Sequence, residues 1–172
     1  MIPYGLKRLL YFSFIHSRIT YGIELYGSCR KGLLDKLQTL QNKLLKVLYK
    51  KPFRTNTNDL HSELNLLKVN DIFNLYLLKF VFKVKNKEII KQFFDYFKAI
   101  ESIHHHETRY RHMLNENRNK LIETKSNTKF GTTMTSRLGA TLWNIHVNNN
   151  TYNSMYVFKR AVKQKFLSTY QN

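Results

Sequence analysis

Between Asn70 and Lys85 the chain carries a run that cannot lie on a protein surface. Ile72, Phe73, Leu75, Tyr76, Leu77, Leu78, Phe80, Val81 and Phe82 leave it apolar almost all round at helical spacing. Such a helix belongs inside, and the rest of the chain has to cover it. With 172 residues there is enough chain to do so, since a polypeptide of this size hides roughly two-thirds of its unfolded surface. Asn70-Asp71 offers an N-cap. The Phe80 to Lys85 end also alternates like a strand, so periodicity leaves its last turn open between helix and strand.

Other segments read as helices of more ordinary kinds. Leu33, Leu37, Leu40, Leu44 and Leu48 recur at spacings of four, three, four and four, which predicts a core-facing stripe on a helix ending before Pro52. Lys36, Lys43 and Lys50, with Lys46 beside them, form a second stripe on the same helix, suited either to phosphates or to plain solvation. A third helix is expected over Lys87 to Ala99, presenting Ile89, Ile90, Phe93, Phe94 and Phe97. From Ile100 to about Met134 apolar residues thin out, and a polar, flexible connection is expected. Asn153 or Ser154 is positioned to cap a last helix with an apolar stripe of Met155, Phe158, Val162 and Phe166 beside Arg160 and Lys163. The expected fold is mainly α: a small helical bundle over 1–99, a polar connection over 100–134, and a basic C-terminal segment over 135–172 with its terminal helix.

Charge narrows the partner. Lys and Arg number 29 against 11 Asp and Glu, giving a net charge of +18 and a pI near 10.0. That surface gathers polyanions, and nucleic acid is the natural one. Abundant Asn, Ile, Phe, Tyr and Lys also fit A/T-rich coding, which accounts for part of the lysine excess. Placement is more telling than the total. After Glu123 no acid occurs, while Lys125, Lys129, Arg137, Lys159, Arg160, Lys163 and Lys165 do. Phe130, Trp143, Tyr152, Tyr156 and Phe158 lie among them, so the segment has cations for phosphates and rings for bases. Taken one at a time, each ring reads as core.

Several chemistries find no support. Cys29 is the single cysteine, which excludes an internal disulfide. Lys7 and Arg8 interrupt the first apolar stretch, and Lys79 and Lys83 the longest one, so neither a secretory signal nor a membrane span is expected. The expected location is intracellular, nuclear or cytoplasmic. Asp35, Asp59, Asp71 and Asp95 are scattered, with no adjacent pair of the kind that holds two catalytic metal ions. His104, His105 and His106 are consecutive, so their side chains diverge, and no metal site or cofactor is expected. Gly27 to Gly32 and Gly131 to Gly139 lack the context of a phosphate-binding loop.

Thr20-Tyr21-Gly22-Ile23-Glu24-Leu25-Tyr26-Gly27, followed by Asp35-Lys36-Leu37-Gln38-Thr39-Leu40-Gln41-Asn42-Lys43, resembles the region just downstream of the palm in reverse transcriptases of non-LTR, LINE-like retrotransposons. Further blocks follow in the same order: Leu60 to Leu67, His104 to Arg109, Lys129-Phe130-Gly131, Leu138 to Asn144, and Phe158-Lys159-Arg160 to Leu167. Tyr26 stands where Trp is more usual, and His106 where Tyr is. The resemblance covers nearly the whole chain and implies a thumb-like domain over 1–99 and a post-thumb segment. It implies phosphate contacts to an RNA and DNA template/product duplex, without sequence preference, and a palm domain supplied elsewhere. Arg109 would join Lys36, Lys43, Lys46, Lys50, Lys159, Arg160 and Lys163 in those contacts. Tyr21, Gly22, Tyr26, Gly27 and Trp143 would be structural. The parent polymerase would need Mg, held outside this segment. The rival expectations are an inactive truncated remnant of such an element, or a basic helical module for a membrane or protein partner.

Overall fold

The computed structural model describes residues 3–29, 31–99, 120–147 and 152–171, and they are mainly helical. They form two compact units, Met1–Asn74 with Lys163–Asn172, and Leu75–Val162. The division falls inside two helices, after Asn74 and after Val162.

Unit 1 begins with α1 (Tyr4–Leu10), a π-helical segment (Tyr11–His16) and α2 (Ser17–Thr20). Then come α3 (Ile23–Tyr26), α4 (Lys31–Tyr49), α5 (Thr57–Glu63) and the start of α6 (Val69–Lys85). Its core gathers Tyr11, Leu45, Leu60, Leu64 and Leu66, with Ile15, Leu48 and Tyr49 packed against them. Removing a side chain like Leu45 or Leu60 from water contributes about 1.5–3 kcal/mol.

The Tyr-Gly block has a physical reason for each glycine. Gly22, between α2 and α3, has φ +66°, a conformation that costs other residues a Cβ clash. A Cβ on Gly27 would sit 2.0 Å from Cδ2 of Phe73, so only glycine lets α6 approach there. Tyr26 is half-buried and donates its hydroxyl to the Ile19 carbonyl, while Tyr21 is exposed.

The expected leucine stripe of α4 is not its core face. Leu34, Gln41 and Leu45 are buried, whereas Leu33, Leu40 and Leu44 are 56, 53 and 39% exposed. The helix is rotated from the reading by period alone because Gln38 and Gln41 make inward hydrogen bonds that a hydrophobic count ignores. Gln41 donates to Tyr11 Oη at 2.8 Å and to the Leu67 carbonyl at 3.0 Å, and Gln38 Oε1 accepts from the Val69 amide at 2.7 Å.

That last bond also corrects the expected cap of α6. The helix starts at Val69, so Asn70 and Asp71 lie within its first turn. The amides flanking the start are satisfied from afar, Val69 by Gln38 and Lys68 by Tyr170 Oη at 3.1 Å. The reading of α6 as an inside helix holds. Val69, Ile72, Phe73, Leu75, Leu77, Leu78, Val81, Phe82 and Val84 are all buried, and the backbone is helical through Lys85.

Unit 2 holds the rest of α6, α7 (Lys129–Thr133), α8 (Thr135–His146) and most of α9 (Met155–Ser168). The helix expected over Lys87 to Ala99 is absent; a single 3-10 turn, Lys91–Phe93, stands there. The β-branched pair Ile89-Ile90 resists helix, and Ile90 is extended at ψ 138°. The irregular backbone lets Phe93, Tyr96 and Phe97 all meet the ring of Phe80, with centroids 5.9 to 6.0 Å apart. Ala99 forms an isolated antiparallel bridge with Leu121.

Of the polar connection expected over 100–134, residues 100–119 lie outside the described residues. The remainder is not a loose linker. Leu121 is buried, and its backbone N–H and C=O both bond to the side-chain amide of Asn144, at 2.8 and 2.9 Å. Trp143 is buried against Phe158, centroids 5.9 Å apart, and Lys85 lies over its ring. The last helix matches expectation: Ser154 Oγ accepts from the Val157 amide, and Phe158, Val162 and Phe166 are buried. Tyr156 does not read as core, being 72% exposed. No helix among the described residues is long and apolar enough to cross a membrane.

Candidate nucleic-acid interface

The cations that the structure brings together lie at the C-terminal end of α4. The helix closes with a Schellman pair: the Lys51 amide donates to the Lys46 carbonyl at 2.9 Å, and the Lys50 amide to the Val47 carbonyl at 3.2 Å. This geometry requires a left-handed residue, and Lys50 supplies it at φ +54° where glycine is usual. Pro52 then prevents the helix from continuing. The same motif with a lysine in the left-handed position recurs at Lys87, which ends α6.

The turn folds Phe53 back beside α4. Lys46 Nζ donates to the Phe53 carbonyl at 2.7 Å and lies 5.4 Å from its ring centroid. The result is an open concavity of about 670 Å³ lined by Lys43, Lys46, Val47, Lys50, Lys51, Pro52 and Phe53. Phe53 is 80% exposed, an aromatic face with no core to join. Lys51 bonds both carboxylate oxygens of Glu63 at 2.7 Å, the only ion pair between described residues. Lys43 and Lys50 make no ion pair with any described residue. The partial negative charge at a helix C-terminus favours such a cluster, in which Lys51 alone is neutralised by an acid among the described residues.

The other expected contacts do not join this cluster. Lys36 lies two turns back along α4, about 10 Å from Lys43. Lys163 donates to the Asn65 carbonyl at 2.9 Å, which ties α9 to the end of α5 within unit 1. Lys159 and Arg160 are exposed in unit 2. Arg137, in the acid-free stretch, donates to the Ser126 carbonyl at 3.1 Å. Arg109 and the three consecutive histidines lie outside the described residues. Phe53 was missed by reading for period, although the run Lys50-Lys51-Pro52-Phe53-Arg54 carries the signal: a ring between cations just past a helix stop.

Unit 1 also holds a buried polar network. His61 is fully buried, with Nδ1 3.1 Å from the Leu66 carbonyl and Nε2 2.9 Å from Asn42 Oδ1. Burial lowers its pKa to about 4, against the pull of the Leu66 carbonyl and with a further push from Lys68. Burial likewise pushes the Tyr11 hydroxyl up to about 12. Asp71, half-buried in the first turn of α6, has its carboxyl raised by desolvation and bonded to Tyr170. Among the described residues, no group of three or more His, Cys, Asp and Glu side chains is placed to hold a metal ion.

No protein-family model, curated protein or solved structure matches the chain.

Proposed function

We propose that this chain is the thumb and post-thumb segment of a non-LTR retrotransposon reverse transcriptase, holding template and product strands by their phosphates for a catalytic centre encoded elsewhere. The observation that carries the reading is the Lys43, Lys46 and Lys50 cluster around exposed Phe53. Lys43 and Lys50, without an ion pair to any described residue, and Lys46, held against Phe53, suit phosphate oxygens, and a flat ring among them suits a base or a terminal base pair. The ordered sequence blocks supply the family. Lys159, Arg160 and Arg109 extend the proposed phosphate contacts, and Mg chemistry belongs to the palm, with no step assigned to residues here.

Binding of this kind is steep in salt and blind to sequence. Fluorescence anisotropy with an RNA/DNA hybrid and with single strands of unrelated sequence tests it. Affinity is expected to fall about a thousandfold or more between about 50 and 200 mM salt if six or more phosphates are engaged. Replacing Lys43, Lys46 and Lys50 together by Gln weakens binding to every sequence alike. Flat salt dependence, or unchanged affinity in the triple variant, overturns the assignment.

A further inference from the structure

α4 has two apolar faces, and among the described residues only one of them is covered. Leu34, Gln41 and Leu45 point into unit 1. The outer face runs Leu33, Leu37, Leu40, Leu44 and Val47, at spacings of four, three, four and three, the alternation of a coiled-coil seam. Leu33, Leu40 and Val47 are more than half exposed. Leu37, Leu40 and Leu44 floor a trough of about 360 Å³ whose far wall is Phe14, Ile19 and Tyr26, with Arg18 among them. Half-buried Leu37 beside exposed Leu40 and Leu44 makes a helix-sized apolar surface with no helix of the described residues on it.

Charge identifies the occupant. With Leu37 and Leu44 at the a positions and Leu33, Leu40 and Val47 at d, the g positions are Lys36, Lys43 and Lys50. The e positions are Leu34, Gln41 and Leu48, which face the core of unit 1. The free rim of the seam is therefore entirely cationic, and none of its lysines has an ion pair with a described residue. A second copy of α4 laid antiparallel would set these g lysines against each other, and a parallel copy would need e positions that are already buried. We propose that the trough docks an amphipathic helix of an acidic protein partner, its apolar seam on Leu37, Leu40 and Leu44 and its carboxylates against Lys36 and Lys43. This goes beyond nucleic-acid binding and uses leucines that no phosphate contact needs.

The test uses the full chain and a labelled probe peptide with Leu at a and d and Glu at e and g, at about physiological ionic strength. A scrambled peptide of the same composition and a heptad peptide with Lys for Glu serve as comparators. The acidic heptad peptide is expected to bind at least about tenfold more tightly than either comparator. The neutral double variant Leu40→Gln with Leu44→Gln removes that advantage while keeping helical circular dichroism and salt-steep RNA binding, so failure here is separable from failure of the nucleic-acid reading. Lys36→Glu with Lys43→Glu transfers the preference to the basic peptide. Equal binding of the scrambled peptide, equal binding of the basic one, or no binding of any overturns the proposal. So does a concentration-dependent dimer of the chain alone that the leucine variant abolishes, since that gives the trough to a second copy.

Discussion

Tyr170 donates its hydroxyl hydrogen to the carboxylate of Asp71, a residue 99 positions earlier. The same oxygen accepts the Lys68 amide, and Lys68 Nζ lies 4.6 Å from the ring centroid. One phenol thus joins the end of α9 to the start of α6 and completes unit 1. Burial and the neighbouring Asp71 charge hold the phenol well above its usual pKa, so it remains a donor at any ordinary pH.

Tyr170→Phe keeps the buried ring and removes the oxygen, leaving the Asp71 carboxylate and the Lys68 amide without this partner. A buried polar group left unsatisfied costs about 1–3 kcal/mol. Urea unfolding of the variant is expected to show a loss of that size with an unchanged m value. A loss below about 0.5 kcal/mol would mean that water replaces the hydroxyl freely and that this junction is peripheral.

His61 makes unit 1 sensitive to acid. Its folded pKa of about 4 lies below the ordinary value of 6.5, so the unfolded chain takes up the proton first as pH falls. Stability is complete above about pH 6.5 and declines toward pH 4, by about 3 kcal/mol for a shift of this size. Asp71 acts in the opposite sense, because its raised pKa makes the folded state the better proton acceptor at low pH. Comparing the pH dependence of unfolding in the natural chain and in His61→Gln isolates the histidine. The variant is expected to lose the decline between pH 6.5 and 4, and identical slopes would show that His61 takes up its proton without unfolding.

Particular residues show what was readable in advance. The all-round apolar run from Ile72 to Phe82 marks an inside element by burial alone, while its last turn, open between helix and strand by period, is helical through Lys85. Ser154 and the Phe158, Val162 and Phe166 stripe were equally local signals. The leucine stripe of α4 misleads because two superposed periodicities compete on the helix. One is purely leucine; the other includes Gln38 and Gln41, and it is buried because the glutamines find partners on Tyr11, Leu67 and Val69. Hydrogen bonds over such separations leave no periodic trace. The start of α6 was hidden for the same reason, its amides being satisfied by Gln38 and Tyr170 rather than by adjacent residues. Of the candidate site, the lysine stripe was legible and the ring was not, since Phe53 gains its place from a turn whose left-handed residue is a lysine.

Lys50 sits at φ +54°, where a Cβ costs roughly 1–2 kcal/mol and glycine nothing. Lys50→Gly is therefore expected to raise stability toward urea by up to about 1 kcal/mol, the reverse of what loss of a useful side chain does. The same substitution removes one of the lysines lining the Phe53 concavity, so the slope of log affinity against log salt should fall by about 0.9 on a duplex. Lys50→Ala separates the two effects: it lowers the salt slope equally but leaves the backbone strain in place. Stabilisation with an unchanged salt slope would remove Lys50 from the interface and leave it as a strained helix end, whereas a gain in stability joined to a flatter slope identifies a lysine held in an unfavourable conformation beside bound phosphate.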